Sequence, residues 1–158
     1  MTERSKDATH DDTREAPPPL QKSIRVRCSL DHAFAVFTAR IDLWWPPSHR
    51  KFAGSELRLE PRTGGRFFER APDGREATLG EVLTYDPPAR LVYAWVPGSL
   101  TGPTHVEVRF SRSDDSTLVE VTHSAGLASD VFAERVALFE RAWSSVLPAF
   151  VSCAERTD

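Results

Sequence analysis

The chain has 158 residues, 40% of them hydrophobic, and a formal net charge of -3. That is one domain's worth of sequence, with enough apolar side chain to build a core without disulfide or metal staples. The slight acidity offers no basic face for nucleic acid, and no apolar run is long enough to span a bilayer. The N-terminus lacks an apolar signal core, and Cys28 and Cys153 stand far apart in no metal-ligand spacing. Two reduced, semi-buried thiols in a cytoplasmic protein are expected, with no metal and no cofactor.

Residues 1–19 read as a disordered polar tail ended by the stiff spacer Pro17-Pro18-Pro19, and residues 20–158 as a single domain. The tail mixes both charge signs and has no periodic apolar residue to offset its ordering entropy. His10, Asp11 and Asp12 have metal-ligand chemistry, but nothing holds them in one geometry. Leu20 to Cys28 follows as a strand with Ile24, Val26 and Cys28 facing inward.

Ser29 or Asp31 caps a helix whose apolar face is Ala33, Phe34, Val36 and Phe37. A second helical segment, Ala39 to Trp45, is stopped by Pro46-Pro47. One of Trp44 and Trp45 belongs to the core, and the other is a candidate for the mouth of a cavity. Ser48 to Ser55 is a polar, basic loop suited to a lid or rim.

Glu56 to Glu60 alternates polar with apolar and reads as a half-exposed strand. Gly64-Gly65 turns the chain into a strand, Arg66 to Arg70, with Phe67 and Glu69 on one face and Phe68 on the other. Pro72-Asp73-Gly74 makes the next turn. In Gly80 to Trp95, two strand-like runs flank Asp86-Pro87-Pro88, and Leu91, Tyr93 and Trp95 put bulky rings on one face of the second run.

A Gly/Pro/Ser loop, Pro97 to Pro103, leads to Thr104–Ser111, with Val106, Val108 and Phe110 on one face. A loop at Arg112 to Ser116 joins it to Thr117–Ser124, with Val119, Val121 and His123 on one face. Ser129 or Asp130 then caps a helix running to about Glu155. Phe132, Val136, Phe139, Trp143, Val146 and Phe150 recur at steps of four and three, which makes one apolar stripe. Pro148 is expected to bend this helix.

The order is strand, two short helices, about six antiparallel strands, one long helix: an α+β chain. It resembles the SRPBCC or START-like superfamily of helix-grip proteins. Within that superfamily it is similar to bacterial relatives of the C-terminal domain of the heat-shock protein 90 ATPase activator. The resemblance runs from about Ser23 to Ala154. It is carried by Phe37 with Trp44-Trp45, by Gly64-Gly65-Arg66-Phe67, by the Gly80 to Trp95 stretch, by Thr117 to His123, and by Ala142 to Leu147. It implies a curved antiparallel sheet of six to seven strands wrapped around the long C-terminal helix, with an apolar cavity between them. Members of the superfamily use that cavity for lipids, sterols, polyketides or hormones, and some catalyse cyclisation inside it. The full-length activators carry a further N-terminal domain where this chain has a short polar tail, so direct stimulation of a chaperone ATPase is not expected.

No nucleophile triad, P-loop or dinucleotide fingerprint is present. The polar groups that alternation places on the ring-bearing face are Glu69, Tyr93 and His123, candidates for acid–base work on a carbonyl substrate. Each also has a plainer reading as a satisfied core group. His105 points to the opposite face. Arg50, Lys51 and Arg58 offer an anion patch or a solvated surface. The expected cavity lining is Trp45, Phe67, Glu69, Tyr93, Trp95, Val108, His123, Phe139 and Trp143. Three functions are compatible with this pattern: binding of a small apolar or amphipathic ligand, a cyclase- or hydrolase-type enzyme using Glu69 and His123, and a homodimer or chaperone-contact module with Phe68 on an exposed patch.

Overall fold

The computed structural model describes residues 17–96, 103–126 and 129–157, with the backbone alone at 129–131. The expectations for residues 1–16, including His10, Asp11 and Asp12, lie outside the described residues. So do most of the Pro97 to Pro103 loop and the side chains of Ser129 and Asp130.

The chain opens with β1 (Leu20–Val26), followed by α1 (Leu30–Thr38) and α2 (Ile41–Trp44). Ser29 caps α1, its side chain accepting from the His32 N–H, and the capped helix buries Ala33, Phe34, Val36 and Phe37. The prolines after α2 give way to a short 3-10 turn at Pro47–His49. Six strands follow: β2 (Glu56–Leu59), β3 (Arg66–Arg70), β4 (Glu76–Asp86), β5 (Arg90–Trp95), β6 (Thr104–Ser113) and β7 (Ser116–Ser124). The last element is α3 (Ser129–Thr157), which contains Pro148.

All seven strands belong to one sheet of order β1-β7-β6-β5-β4-β3-β2, in which β2 to β7 pair antiparallel in sequence and β1 joins β7. Register shifts between Phe67 and Phe68 and between Val82 and Thr84 interrupt β3–β4 and β4–β5 pairing. Such irregularities bend a strand, and the sheet curls at this point. Two rows of paired residues run across the strands here. Phe67 pairs with Gly80, which pairs with Trp95, which pairs with Thr104; beside that row, Val82, Tyr93, Val106 and His123 lie in line.

Gly80 is required by space. A Cβ there would lie 1.9 Å from the Ala94 carbonyl oxygen, and the missing side chain lets the Phe67 and Trp95 rings meet across β4 at 5.8 Å.

The concave face of the sheet and α3 share one core. Trp143, Val146, Leu147, Phe150, Cys153 and Ala154 of the helix pack with sheet residues and with α1 and α2. The first half of α3 is held differently: Phe132 and Phe139 form a small separate cluster with Ala125, and residues 133–138 between them are all exposed. Val136, read from its spacing as part of the buried stripe, is therefore 36% exposed.

Two further expectations change. The Arg112 to Ser116 segment is a tight hairpin rather than a five-residue loop: Ser113 pairs with Ser116, and Asp114 takes φ 57°. Phe68 lies on the outer face but is only 4% exposed. The guanidinium of Arg66 stacks 4.0 Å over its ring and that of Arg70 lies at 5.6 Å, both held by Glu76.

Candidate functional site

Between the Tyr93–Val106–His123 row and the middle of α3 lies a cavity of about 200 Å³. Six residues expected to line it do so: Trp45, Tyr93, Trp95, His123, Phe139 and Trp143. Phe67, Glu69 and Val108 stand outside the lining. Phe67 supports the wall from behind, edge-on to Trp45 and Tyr93, and Val108 is wholly buried in the core. Val106, Val146, His49, Leu138 and Ala142, none of them among the expected lining, complete the wall. Leu138 and the His49 side chain are exposed at its mouth. None of the lining residues is Asp, Glu, Lys or Arg.

His123 is 2% exposed and has both ring nitrogens engaged. The Trp143 indole N–H donates to Nδ1 at 3.1 Å, so Nδ1 carries the lone pair. The proton therefore sits on Nε2, which donates to the Thr104 hydroxyl at 2.9 Å. That hydroxyl in turn donates towards the Trp95 carbonyl at 3.4 Å. Burial, with a smaller contribution from the charge of His105, pulls the imidazole pKa from 6.5 down to about 4. A proton added at Nδ1 would also face the Trp143 N–H. The ring is a neutral, oriented wall of the cavity, and its one basic nitrogen is occupied.

Glu69 is 1% exposed, and its carboxylate accepts from the Lys51 N–H (3.0 Å), the Phe52 N–H (2.7 Å) and the Ser55 hydroxyl (2.7 Å). It fixes the loop after the 3-10 turn. Where Glu69 supplies acceptors, Arg50 supplies donors, to the Asp42 side chain and to the carbonyls of Asp42, Trp45 and Ser55. The Trp45 indole N–H is tied to the same loop through the His49 carbonyl at 3.1 Å. Arg50 is thus committed to internal acceptors rather than to an anion patch with Lys51 and Arg58. The basic loop is a rigid rim.

Tyr93 is 2% exposed, with its ring edge-on to Phe67 (5.4 Å) and Trp95 (6.3 Å). Burial pushes its phenol above the ordinary value, which keeps it protonated. No partner for its hydroxyl is found among the described residues. Beside the mouth, an outer groove lined by Lys51, Phe52 and Arg75 shares His49 and Trp95 with the cavity. Among the described residues no group of three His, Cys, Asp or Glu is placed to hold a metal ion, and no helix is long and apolar enough to cross a membrane. Cys28 and Cys153 are both buried thiols.

Comparison with solved structures finds the same architecture in several proteins. One from Rhodobacter sphaeroides is 17% identical, with a TM-score of 0.68 over 89% of this chain and 94% of that one. CalU16 from Micromonospora echinospora is 24% identical, with a TM-score of 0.58 over 85% of this chain and 76% of that one. Identities this low speak for the fold alone. Txn09, described as an anthrahydroquino-gamma-pyrone synthase, is 38% identical over 69% of this chain and 77% of its own, with a TM-score of 0.49. No curated protein matches the chain. The sequence model for the activator of Hsp90 ATPase homolog 1-like protein matches residues 27–155, which include every side chain of the cavity wall. With that match over most of its length and a curled sheet packed on a long C-terminal helix, the chain belongs to the activator of Hsp90 ATPase homolog 1-like family, a helix-grip family.

Proposed function

We propose that the domain binds a small apolar or amphipathic molecule in the cavity between its sheet and C-terminal helix. The observation that carries this reading is the wall itself: a recess of about 200 Å³, open at one end and walled mainly by aromatic rings, with no charged carboxylate, ammonium or guanidinium in the lining. Trp45, Tyr93, Trp95 and His123, with Phe139 and Trp143 of α3, leave this space open where protein interiors ordinarily close.

Acid–base catalysis by Glu69 and His123 fits the same geometry less well. Glu69 is engaged in holding the rim, and the basic nitrogen of His123 already accepts from Trp143. An interaction surface built on Phe68 is likewise disfavoured, because the ring is covered by two guanidinium groups. The test is native mass spectrometry of the freshly purified protein, followed by organic extraction. An extractable adduct that is lost in Ala142→Phe, a variant that fills the cavity from the helix side, supports the proposal. An adduct that persists in that variant, or a wild-type protein that neither carries an adduct nor takes up any apolar probe, overturns it.

A further inference from the structure

We propose that the solvent face of α3 is a homodimer seam. Two copies pair these helices antiparallel about the Ala137–Leu138 turn, with Glu134 of each copy against Arg141 of the other.

The exposed span of α3 carries a pattern distinct from its buried stripe. Glu134, Ala137, Leu138 and Arg141 follow one another at i, i+3, i+4 and i+7, the spacing that puts side chains on one face of an α-helix. That face is turned away from Phe132, Phe139 and Trp143, which are buried, and all four of its residues are exposed. Leu138 is 49% exposed, one of few large apolar side chains of the described residues left in water. A lone exposed leucine is ordinary; this one is set apart by an acid one turn before it and a base one turn after.

Neither flanking charge is used within the chain. Glu134 and Arg141 form no ion pair among the described residues, whereas Glu140 on the same helix is taken by Lys22 of β1. Seven residues span about 10 Å along the axis, so the two cannot meet each other across their own helix.

A second copy turned end for end supplies both partners. Each Glu134 then faces an Arg141, and each Leu138 faces an Ala137, whose small side chain leaves room for the leucine at the roughly 8–10 Å between packed helices. Parallel pairing sets Glu134 against Glu134 and Arg141 against Arg141, and like charges opposed across a contact are penalised, so the pattern selects the antiparallel arrangement. The contact is self-complementary and closes at two copies. Leu138 also stands at the cavity mouth, so the second copy's helix lies alongside that opening, on the side that the single chain leaves to water. One leucine and one alanine per copy make a small seam, and the dimer is accordingly weak, reversible and sensitive to salt.

The experiment is sedimentation equilibrium of the full chain, from low micromolar to near-millimolar protein, with Glu134→Arg, Arg141→Glu and an equimolar mixture of the two. The wild type is expected to pass from monomer to dimer and no further. Each charge reversal alone opposes like charges at both ends of the seam and is expected to weaken self-association more than about tenfold. Mixing the two variants sets a copy with two bases at the seam against a copy with two acids, which restores both contacts and brings back a dimer of wild-type strength, now a heterodimer. A wild type that stays monomeric over the whole range, a dimer indifferent to either reversal, or variants that remain apart on mixing would overturn the proposal. Both substitutions lie on exposed positions, and circular dichroism melts matching the wild type establish that each variant is folded.

Discussion

The neutral state of His123 is the most exacting consequence of this cavity. A fall in imidazole pKa from 6.5 to about 4 means that the unfolded chain binds this proton more readily than the folded one. The sign is then fixed: stability rises with pH wherever the unfolded state holds more protons. The contribution is fully present above pH 6.5, declines as pH falls from 6.5, and is lost by about pH 4. The total is about 3 kcal/mol, and about 2 kcal/mol of it is expected to disappear between pH 7 and pH 4.5. The assay is urea unfolding at those two pH values for the wild type and for His123→Gln, which retains a hydrogen-bonding amide but does not titrate. Other ionisable groups contribute equally to both proteins, so the difference between their pH dependences isolates His123. Nitrogen NMR of the imidazole gives an independent check, with Nε2 protonated and Nδ1 bare throughout the neutral range. An imidazole that titrates near 6.5, or a wild type whose pH dependence matches that of the variant, would refute the donation from Trp143 and the closed environment around it.

Glu69→Gln turns an amide NH2 towards two N–H groups and a hydroxyl, so a loss of about 2–3 kcal/mol is expected, with faster hydrogen exchange at the amides of Lys51 and Phe52. Undisturbed exchange there would show that the rim is held by other contacts. Arg50→Lys keeps the charge but cannot reproduce the five hydrogen bonds of the guanidinium fork; a shift in urea midpoint equivalent to about 2 kcal/mol is expected. Gly80→Ala forces a Cβ to within 1.9 Å of the Ala94 carbonyl oxygen, and thermal unfolding is expected to show a loss on the order of 3 kcal/mol. A wild-type melting temperature for that variant would mean that the two strands separate at no cost.

The elements that sequence specifies are those whose signals are local. Alternation over Leu91 to Trp95, the Ser29 cap and the recurrence of Trp143, Val146 and Phe150 depend on neighbours within a turn or a strand, and each appears where the pattern places it. The cavity lining is also largely legible, because a ring-bearing sheet face and an aromatic helix stripe must meet. What is illegible depends on partners far apart in sequence. The role of Glu69 is set by backbone N–H groups 17 and 18 residues away, and that of His123 by an indole 20 residues on. Periodicity indicates that such a residue faces inward and is silent on what it meets. Phe68 is a different case: alternation places it on the outer face correctly, and the arginines two residues to either side cover it there. Outward-facing and exposed are not the same condition.

The uneven seating of α3 has a mechanical meaning. From Trp143 onward the helix is embedded in the main core, whereas before it Phe132 and Phe139 bracket an exposed span and Glu140 pairs with Lys22 of β1. A rod clamped at one end and pinned lightly near the other hinges at its clamp. Lifting the first half breaks the Phe132–Phe139–Ala125 cluster, its packing on His123 and the Lys22–Glu140 pair, and is expected to need less free energy than global unfolding. Amide exchange should therefore run at two rates along one continuous helix, with the change near Trp143. Because Leu138 and Phe139 belong to both the lightly pinned half and the cavity wall, a molecule bound in the proposed site is expected to draw the two rates together.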